Sequence, residues 1–387
     1  MNKERKRIVF LARWYPHRYD PMFGLFVQRH AEAAALFNDI TVIYCHACER
    51  QQDNKTTRQQ AKKFEIVRTN ENNVDTIRVY YKKPKNKIQS LLRFYRANMM
   101  ALKLCKKPDL IHVHVLTRLG VIAWIQKILH KTPYIITEHW SRYLPSNDFS
   151  GFLRKTACKL VVRNARTVTT VTENLATAMK NHGLKNDNYV VLPNVVNLDM
   201  FHINQKCTDA INHVPTIIHI SCFEDKSKNI SGLLESLKII DDKGIDFQCK
   251  LIGEGMDLDL MKEKAKNLQL INKVSFTGLL QGQALADELS SGDFLVLSSN
   301  YENMPVVILE ALASGLPVVS TNVGGIKEMI DDTKGILVEP RNKEALAEAM
   351  IKMIETHKNY DANYLRNSVI KKYGYESVGM FLSRLYK

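Results

Sequence analysis

Asn300-Tyr-Glu302-Asn-Met-Pro-Val-Val-Ile-Leu-Glu310-Ala-Leu-Ala-Ser-Gly315 is the stretch around which the chain is read. It follows Asp293-Phe-Leu-Val-Leu-Ser298, an apolar run with the length of a buried parallel strand. Pro305 suits a first helical position, because its missing N–H would be unsatisfied there in any case. Val306, Leu309, Ala313 and Leu316 keep helical spacing, and Gly315 stands where a helix stop belongs. Glu302 then precedes the helix and Glu310 lies inside it. Carboxylates accept hydrogen bonds from vicinal hydroxyls, and the open N–H groups of a helix start face an anion. Together they suit a sugar, a phosphate and a ribose in a row. A surface helix with an acid at its start and a solvated Glu inside would carry the same letters, so the pair alone does not decide.

The wider pattern narrows the reading. Glu302-x7-Glu310 is followed by Ala313-Ser-Gly-Leu-Pro-Val-Val-Ser-Thr-Asn-Val-Gly-Gly-Ile-Lys-Glu328 and then by Gly335-Ile-Leu-Val-Glu-Pro340. This resembles the signature of the family 4 glycosyltransferases of the GT-B fold. The resemblance implies an α/β protein of two facing Rossmann-like, doubly wound domains with a cleft between them. It also implies retaining transfer from a nucleotide-diphospho-sugar, with a cation side chain and a helix end in place of any bound metal or cofactor. Under it Glu302 holds the donor sugar and Glu310 the ribose. Asn303, Met304, Pro305 and Val306 surround the diphosphate, and Glu254 lies in a Gly253-Glu-Gly255 loop close to the nucleotide. The family's Lys matches Lys228, with Lys226 beside it, whereas the family's Arg position holds Cys222. A thiol cannot replace a guanidinium fork. Either the two lysines share the diphosphate, or donor binding is altered.

Upstream, the motifs are looser. Ile8-Val-Phe-Leu-Ala12, a loop ending at Gly24 and a helix from Phe26 open a nucleotide-type βα unit, where Gly24 would let a ligand approach the backbone. No G-x-G-x-x-G is present, so a dehydrogenase-type dinucleotide site is not supported. Tyr134-Ile-Ile-Thr-Glu-His139 reads as a strand whose end places Glu138 and His139 at a ligand crevice. His139 resembles the family histidine that faces the donor sugar. His112 and His114 share one strand face and read as structural.

A chain of 387 residues is long for one core. The boundaries expected are 1–202, 203–362 with a polar linker over 203–214, and a helix over 363–387 that crosses back to the first domain. The formal charge is +15, and residues 1–200 carry the excess while the remainder is mildly acidic. That asymmetry points to an anionic partner for the first half. Between 81 and 110 nine basic residues accompany one acid, Asp109, with Ile88, Leu91, Leu92, Tyr95, Met99, Leu102 and Leu104 interleaved. Residues 82–107 read either as a peripheral membrane element or as a core helix with a solvated basic face.

No apolar run has the length of a spanning helix, and the seven scattered cysteines fit a reducing compartment. Cys45-His-Ala-Cys48 reads as strand-end thiols, and no nucleic-acid-binding signature is present. The expectation is a cytoplasmic enzyme, peripheral on the inner face of the membrane, that joins a nucleotide-sugar donor to a lipid-linked or glycan acceptor in surface polysaccharide assembly. A nucleotide-sugar epimerase of the same fold and a non-catalytic partner subunit remain as alternatives.

Overall fold

The computed structural model describes residues 5–49, 64–144, 149–203 and 213–387. Residues 50–63 and nearly all of the expected linker lie outside them. The chain forms two compact units, Met1–Val195 with Tyr375–Lys387, and Val196–Gly374.

The first unit is built from β1 (Arg7–Ala12), α1 (Leu25–Ala35), β2 (Asp39–Cys48), β3 (Glu65–Glu71), β4 (Val74–Lys82), α2 (Lys87–Lys103), β5 (Leu110–His114), α3 (Arg118–His130), β6 (Tyr134–Glu138), α4 (Phe152–Asn164), β7 (Thr167–Thr170), α5 (Glu173–Asn181) and β8 (Tyr189–Val191). Its sheet order is β3-β4-β2-β1-β5-β6-β7-β8, and every pairing is parallel except β3 with β4. The central strands β5 and β6 are buried throughout, and their polar members His112, His114, Thr137 and Glu138 are buried with them. Beyond β1 the chain direction reverses. The crossovers after β4, β5 and β6 all run in the same direction across the sheet, so right-handed connections place α2, α3 and α4 on one face of it. That layer is contiguous: Gln126 Nε2 lies 3.8 Å from Met99 Sδ, and Lys127 Nζ donates to Asn164 O at 2.7 Å.

In the second unit come β9 (Thr216–Ile220), α6 (Asp225–Lys228), α7 (Ile230–Asp242), β10 (Gln248–Ile252), α8 (Leu258–Asn267), β11 (Val274–Gly278), α9 (Gly282–Ser291), β12 (Phe294–Leu297), α10 (Val306–Ala313), β13 (Val318–Thr321), β14 (Gly335–Val338), α11 (Lys343–Thr356) and α12 (Ala362–Tyr373). All six strands are parallel in the order β11-β10-β9-β12-β13-β14. This is the doubly wound order 3-2-1-4-5-6, with its switch point between β9 and β12. Leu233, Leu237 and Ile240 of α7 recur at helical spacing and are fully buried with Phe247 and Phe294, so one helix stripe closes one sheet face.

The boundaries differ from those expected. The first unit ends at Val195 rather than 202, and the C-terminal segment is two helices instead of one. α12 packs on α10, and Arg366 clamps it by donating to Phe201 O, Ala313 O and Leu198 O at 2.5, 2.7 and 2.9 Å. Gly374 interrupts the helix, and α13 (Tyr375–Leu385) joins the first unit against α1. There Val378, Leu382 and Tyr386 are buried, and the Tyr386 hydroxyl meets His112 Nδ1 at 2.8 Å.

Candidate functional site

At the switch point of the second sheet, the loops after β9 and β12 must run side by side. Ser298 Oγ donates to Lys228 O at 2.8 Å, Asn300 N to Ser227 O at 2.8 Å, and Asn300 Nδ2 to Lys226 O at 3.0 Å. Across this seam Lys228 Nζ lies 2.5 Å from Glu302 Oε1, and Ser299 Oγ donates to the same oxygen at 2.8 Å. Thr321 Oγ1 in turn holds Ser299 O at 2.6 Å. Only 19% of the Lys228 side chain and 11% of the Glu302 side chain remain exposed. Burial pushes the Lys228 ammonium down, and the Glu302 carboxylate outweighs it, so the net shift is upward. The pair is held in place.

Gly324 fixes the height of the Glu302 loop. Its φ is 59°, and a Cβ there would stand 1.9 Å from Glu302 O, so only glycine permits this approach. Gly325 N then donates to Asn303 O at 3.1 Å. Met304 is buried beneath the loop. Pro305 is not the first helical residue: its φ/ψ of −68°/117° is extended, and it caps α10 from outside without a side-chain bond. Val306 is therefore the first residue of the helix, and its N–H and that of Val307 belong to the opening turn. Glu310 is buried at 4% exposure, which removes the reading of a solvated helix acid.

Two donor-side expectations change. Lys226 and Lys228 sit two apart in the single turn α6, about 200° apart around its axis, so their side chains leave it on opposite sides. Lys226 and Cys222 are both exposed. The Glu254 side chain is exposed as well, while its carbonyl accepts Phe223 N–H at 2.9 Å. Sequence reasoning also passed over Arg341. It follows β14, adopts φ 61° where a non-glycine residue is uncommon, and places Nε 3.4 Å from Asn300 Oδ1.

In the first unit His139 follows β6, as its position implied, but its partner was read as structural. His114 Nδ1 and His139 Nε2 are 3.1 Å apart, and His30 of α1 completes a buried triangle in which one nitrogen of each ring lies within 4.8 Å of the other two. Burial lowers the pKa of each, so all three imidazoles are neutral and chemically able to ligate a divalent cation. Val115, directly after His114, is a buried β-branched residue at φ 74°. Val115 N to Thr137 O and Leu116 N to Glu138 Oε2, both 2.8 Å, hold that strained backbone.

Glu138 does not face a ligand. It is fully buried, and its two oxygens accept the N–H groups of Leu116, His139 and Trp140. Burial nevertheless raises its pKa to about 7, against those hydrogen bonds. Gly24 serves the chain itself: with φ 72°, it lets the Trp14–Tyr15 backbone pass where a Cβ would come within 2.4 Å of Trp14 C. His112, bonded to Tyr386 and to Thr137 Oγ1, is structural as read. Burial pushes the Cys45 thiol far up, which fits the strand-end reading of Cys45 and Cys48.

Residues 82–107 carry both features that their letters offered, a stripe packed on the unit and an exposed face with apolar and basic side chains. Asn86 caps α2 by accepting Ile88 N–H at 2.7 Å, and the buried stripe is Phe94, Ala97, Asn98 and Ala101. Ile88 and Leu92 stand 69% and 63% exposed, so they are not core residues. α4 repeats the pattern: Phe152 and Leu153 are each 82% exposed beside Arg154 and Lys155. α2, α3 and α4 contain no acidic residue. No helix of the described residues is long and apolar enough to cross a membrane.

The family described as Glycosyltransferase Family 4 matches residues 26–200, and that described as Glycosyl transferases group 1 matches residues 208–371. A Bacillus subtilis (strain 168) glycosyltransferase named for teichuronic acid biosynthesis, TuaC, is 26% identical over 358 residues, covering 89% of this chain and 88% of that one. The N-acetyl-alpha-D-glucosaminyl L-malate synthase of Bacillus anthracis is 32% identical over 168 residues, 42% of each chain. Sucrose-phosphate synthase from Thermosynechococcus elongatus superposes with a TM-score of 0.79 at 19% identity, over 99% of this chain and 98% of that one. Anabaena HepE, solved with UDP and glucose, does so with a TM-score of 0.72 at 16% identity, over 98% and 99%. The two structures speak to the fold. These relatives favour neither the epimerase nor the non-catalytic alternative.

Proposed function

Because the chain belongs to the family 4 glycosyltransferases of the GT-B fold, we propose that it is a retaining enzyme of surface polysaccharide assembly. It moves a sugar from a nucleotide-diphospho-sugar to a glycan or lipid-linked acceptor. The observation that carries the donor half is the Lys228–Glu302 pair at the switch point, beside the open start of α10.

In this reading the departing diphosphate collects negative charge where Lys228 and the N–H groups of Val306 and Val307 converge. Pro305 offers no N–H and leaves that task to the next two residues. Glu302, steadied by Ser299, accepts hydroxyls of the donor sugar, and Glu310 takes the ribose. His139, steadied by His114, is assigned to the sugar end of the reaction. No metal is required, because the lysine and the helix start supply the positive charge.

The exposed apolar and basic residues of α2 and α4 seat the enzyme on an anionic membrane. Apolar side chains enter the interface and the surrounding cations meet the headgroups. The enzyme is thereby a cytoplasmic, peripheral protein of the inner face.

A donor screen tests the proposal. Uridine and guanosine diphospho-sugars are compared by thermal shift, where ligand at ~100 times its dissociation constant adds about 2.7 kcal/mol. Stabilisation by one nucleotide class that vanishes in Lys228→Gln supports the reading. A shift retained in that variant refutes the assigned donor site.

A further inference from the structure

Strand order in the first unit gathers three histidines that the transfer reaction uses only in part. β5 pairs with β6, so His114 and His139 leave neighbouring strand ends, and α1 brings His30 against both. The ring centroids of His114 and His139 are 5.4 Å apart, those of His30 and His139 5.4 Å, and those of His30 and His114 5.8 Å. His30 and His114 are fully buried, and His139 keeps 9% exposure.

The hydrogen bonds of these rings do not close. A carbonyl only accepts, so the 2.9 Å contact with Pro193 O puts the His30 proton on Nε2 and leaves the lone pair on Nδ1. Where His114 Nδ1 and His139 Nε2 stand 3.1 Å apart, either one proton lies between them or both lone pairs face a cation. Among the described residues, His30 Nδ1 and His114 Nε2 have no hydrogen-bond partner. Buried polar atoms are rarely left so, and an ion or a water commonly completes them. One nitrogen of each ring lies within 4.8 Å of the other two, so a point among the three is at most about 2.8 Å from each. Small turns of the rings bring that to the ~2.1 Å of a zinc–imidazole bond. Glu138, next to His139 in the chain, does not join them, because its two oxygens take the N–H groups of Leu116, His139 and Trp140. Three imidazoles without a carboxylate suit zinc or cobalt rather than magnesium or calcium.

We propose that His30, His114 and His139 form a binding site for a divalent transition cation such as zinc, and that filling it silences the enzyme. A neutral imidazole has one nitrogen lone pair, and the ion takes the one that His139 would offer at the sugar end of the reaction. The ion is an inhibitor and not a cofactor. The site stands on the histidine geometry alone, whereas its inhibitory effect rests on the role given to His139 in the glycosyltransferase reading.

The full chain, stripped with a chelator, is titrated with cobalt(II) and followed by visible absorption, then with zinc and with magnesium by calorimetry. One equivalent of cobalt should give the intense bands of a low-coordinate nitrogen site, zinc should displace it, and magnesium should not bind. His30→Gln and His114→Gln should each weaken zinc binding by ~100-fold or more. His17→Gln and His46→Gln, in a second histidine pair with ring centroids 4.2 Å apart, should leave it unchanged. X-ray absorption of the zinc-loaded, unaltered chain should count three imidazoles, and it needs no variant to fold. The site is overturned by an absent cobalt spectrum, by binding that survives the His30 and His114 changes, or by a zinc shell with sulfur or with fewer than three imidazoles. In a transfer assay, zinc should inhibit the unaltered enzyme, the chelator should restore it, and His30→Gln should escape inhibition. Full activity of the zinc-loaded enzyme refutes the silencing. Cobalt binding needs no sugar donor, so failure of the glycosyltransferase reading and failure of the metal site are read separately.

Discussion

In the proposed donor role Glu302 stands awkwardly, because it pairs with the cation that the diphosphate would need. With Lys228 Nζ 2.5 Å from Glu302 Oε1, an incoming diphosphate must share the lysine or draw it away. Two unit charges ~4 Å apart at an effective dielectric of about 20 interact by about 4 kcal/mol. Residual exposure of 19% and 11% lets solvent weaken this, to roughly 1–2 kcal/mol of competition. Removing the carboxylate in Glu302→Ala should therefore tighten binding of a bare nucleoside diphosphate by about 5- to 30-fold. The same change should nearly abolish transfer, since the sugar hydroxyls lose their acceptor. Without ligand the variant strands Lys228, and a destabilisation of about 1–3 kcal/mol is expected, which the nucleotide then reverses. Calorimetric titration of UDP and GDP against wild type, Glu302→Ala and Glu302→Gln measures the first effect, and a turnover assay the second. Unchanged or weaker nucleoside diphosphate affinity in Glu302→Ala would show that Lys228 does not hold the phosphates.

Three further outcomes are expected. Cys222 is exposed beside the seam, so Cys222→Arg should tighten donor binding several-fold, while Arg341→Gln should weaken it if that arginine supplies part of the missing charge; titrations unmoved by either change would leave Lys228 and the helix start as the sole cationic groups. On anionic vesicles the enzyme should sediment at low salt and be released by high salt, with Lys82, Lys83, Lys85 and Lys87 all changed to Gln weakening binding, and Phe152→Ser with Leu153→Ser removing any salt-resistant part; equal binding to neutral vesicles, or none to either, contradicts the membrane reading. Glu138 has a folded pKa of about 7 against an unfolded value near 4.5, so the folded state holds the extra proton and stability should fall as pH rises between these values, by ~2–4 kcal/mol. Glu138→Gln should flatten that slope in denaturant melts, and an unaltered slope would assign it to other groups.

Why much of the fold was legible follows from its strands. Thr216–Ile220 and Phe294–Leu297 are buried on both faces, so they appear as short apolar runs closed by polar residues. Where burial and helical period part company, the letters mislead. α4 begins with Phe152 and Leu153 in solvent and buries Cys158, Val161 and Val162 instead, so its apolar residues do not fall on one stripe. Val318–Thr321 and Gly335–Val338 were visible only as parts of a signature. At the C-terminus the helical period runs on through Gly374, and nothing local announces that α12 and α13 serve different units.

The site divides differently, because residue types belong to the sequence and partners belong to strand order. Lys228 and Glu302 are 74 positions apart. Once β9 pairs with β12, the loops 221–229 and 298–305 must lie together whatever their residues. Once β1 pairs with β5, His114 comes to rest beside the loop that Gly24 closes. An alternation of apolar and polar letters says which residues face a sheet, but it does not say which strand is the neighbour. His114 shows the consequence. By letters it shares a face with His112, yet the β5–β6 pairing sends its nitrogen to His139 while α13 claims His112. Two histidines of the same strand thus end in different roles. The difference lies in elements 25 and more than 270 residues away, beyond the reach of any local window.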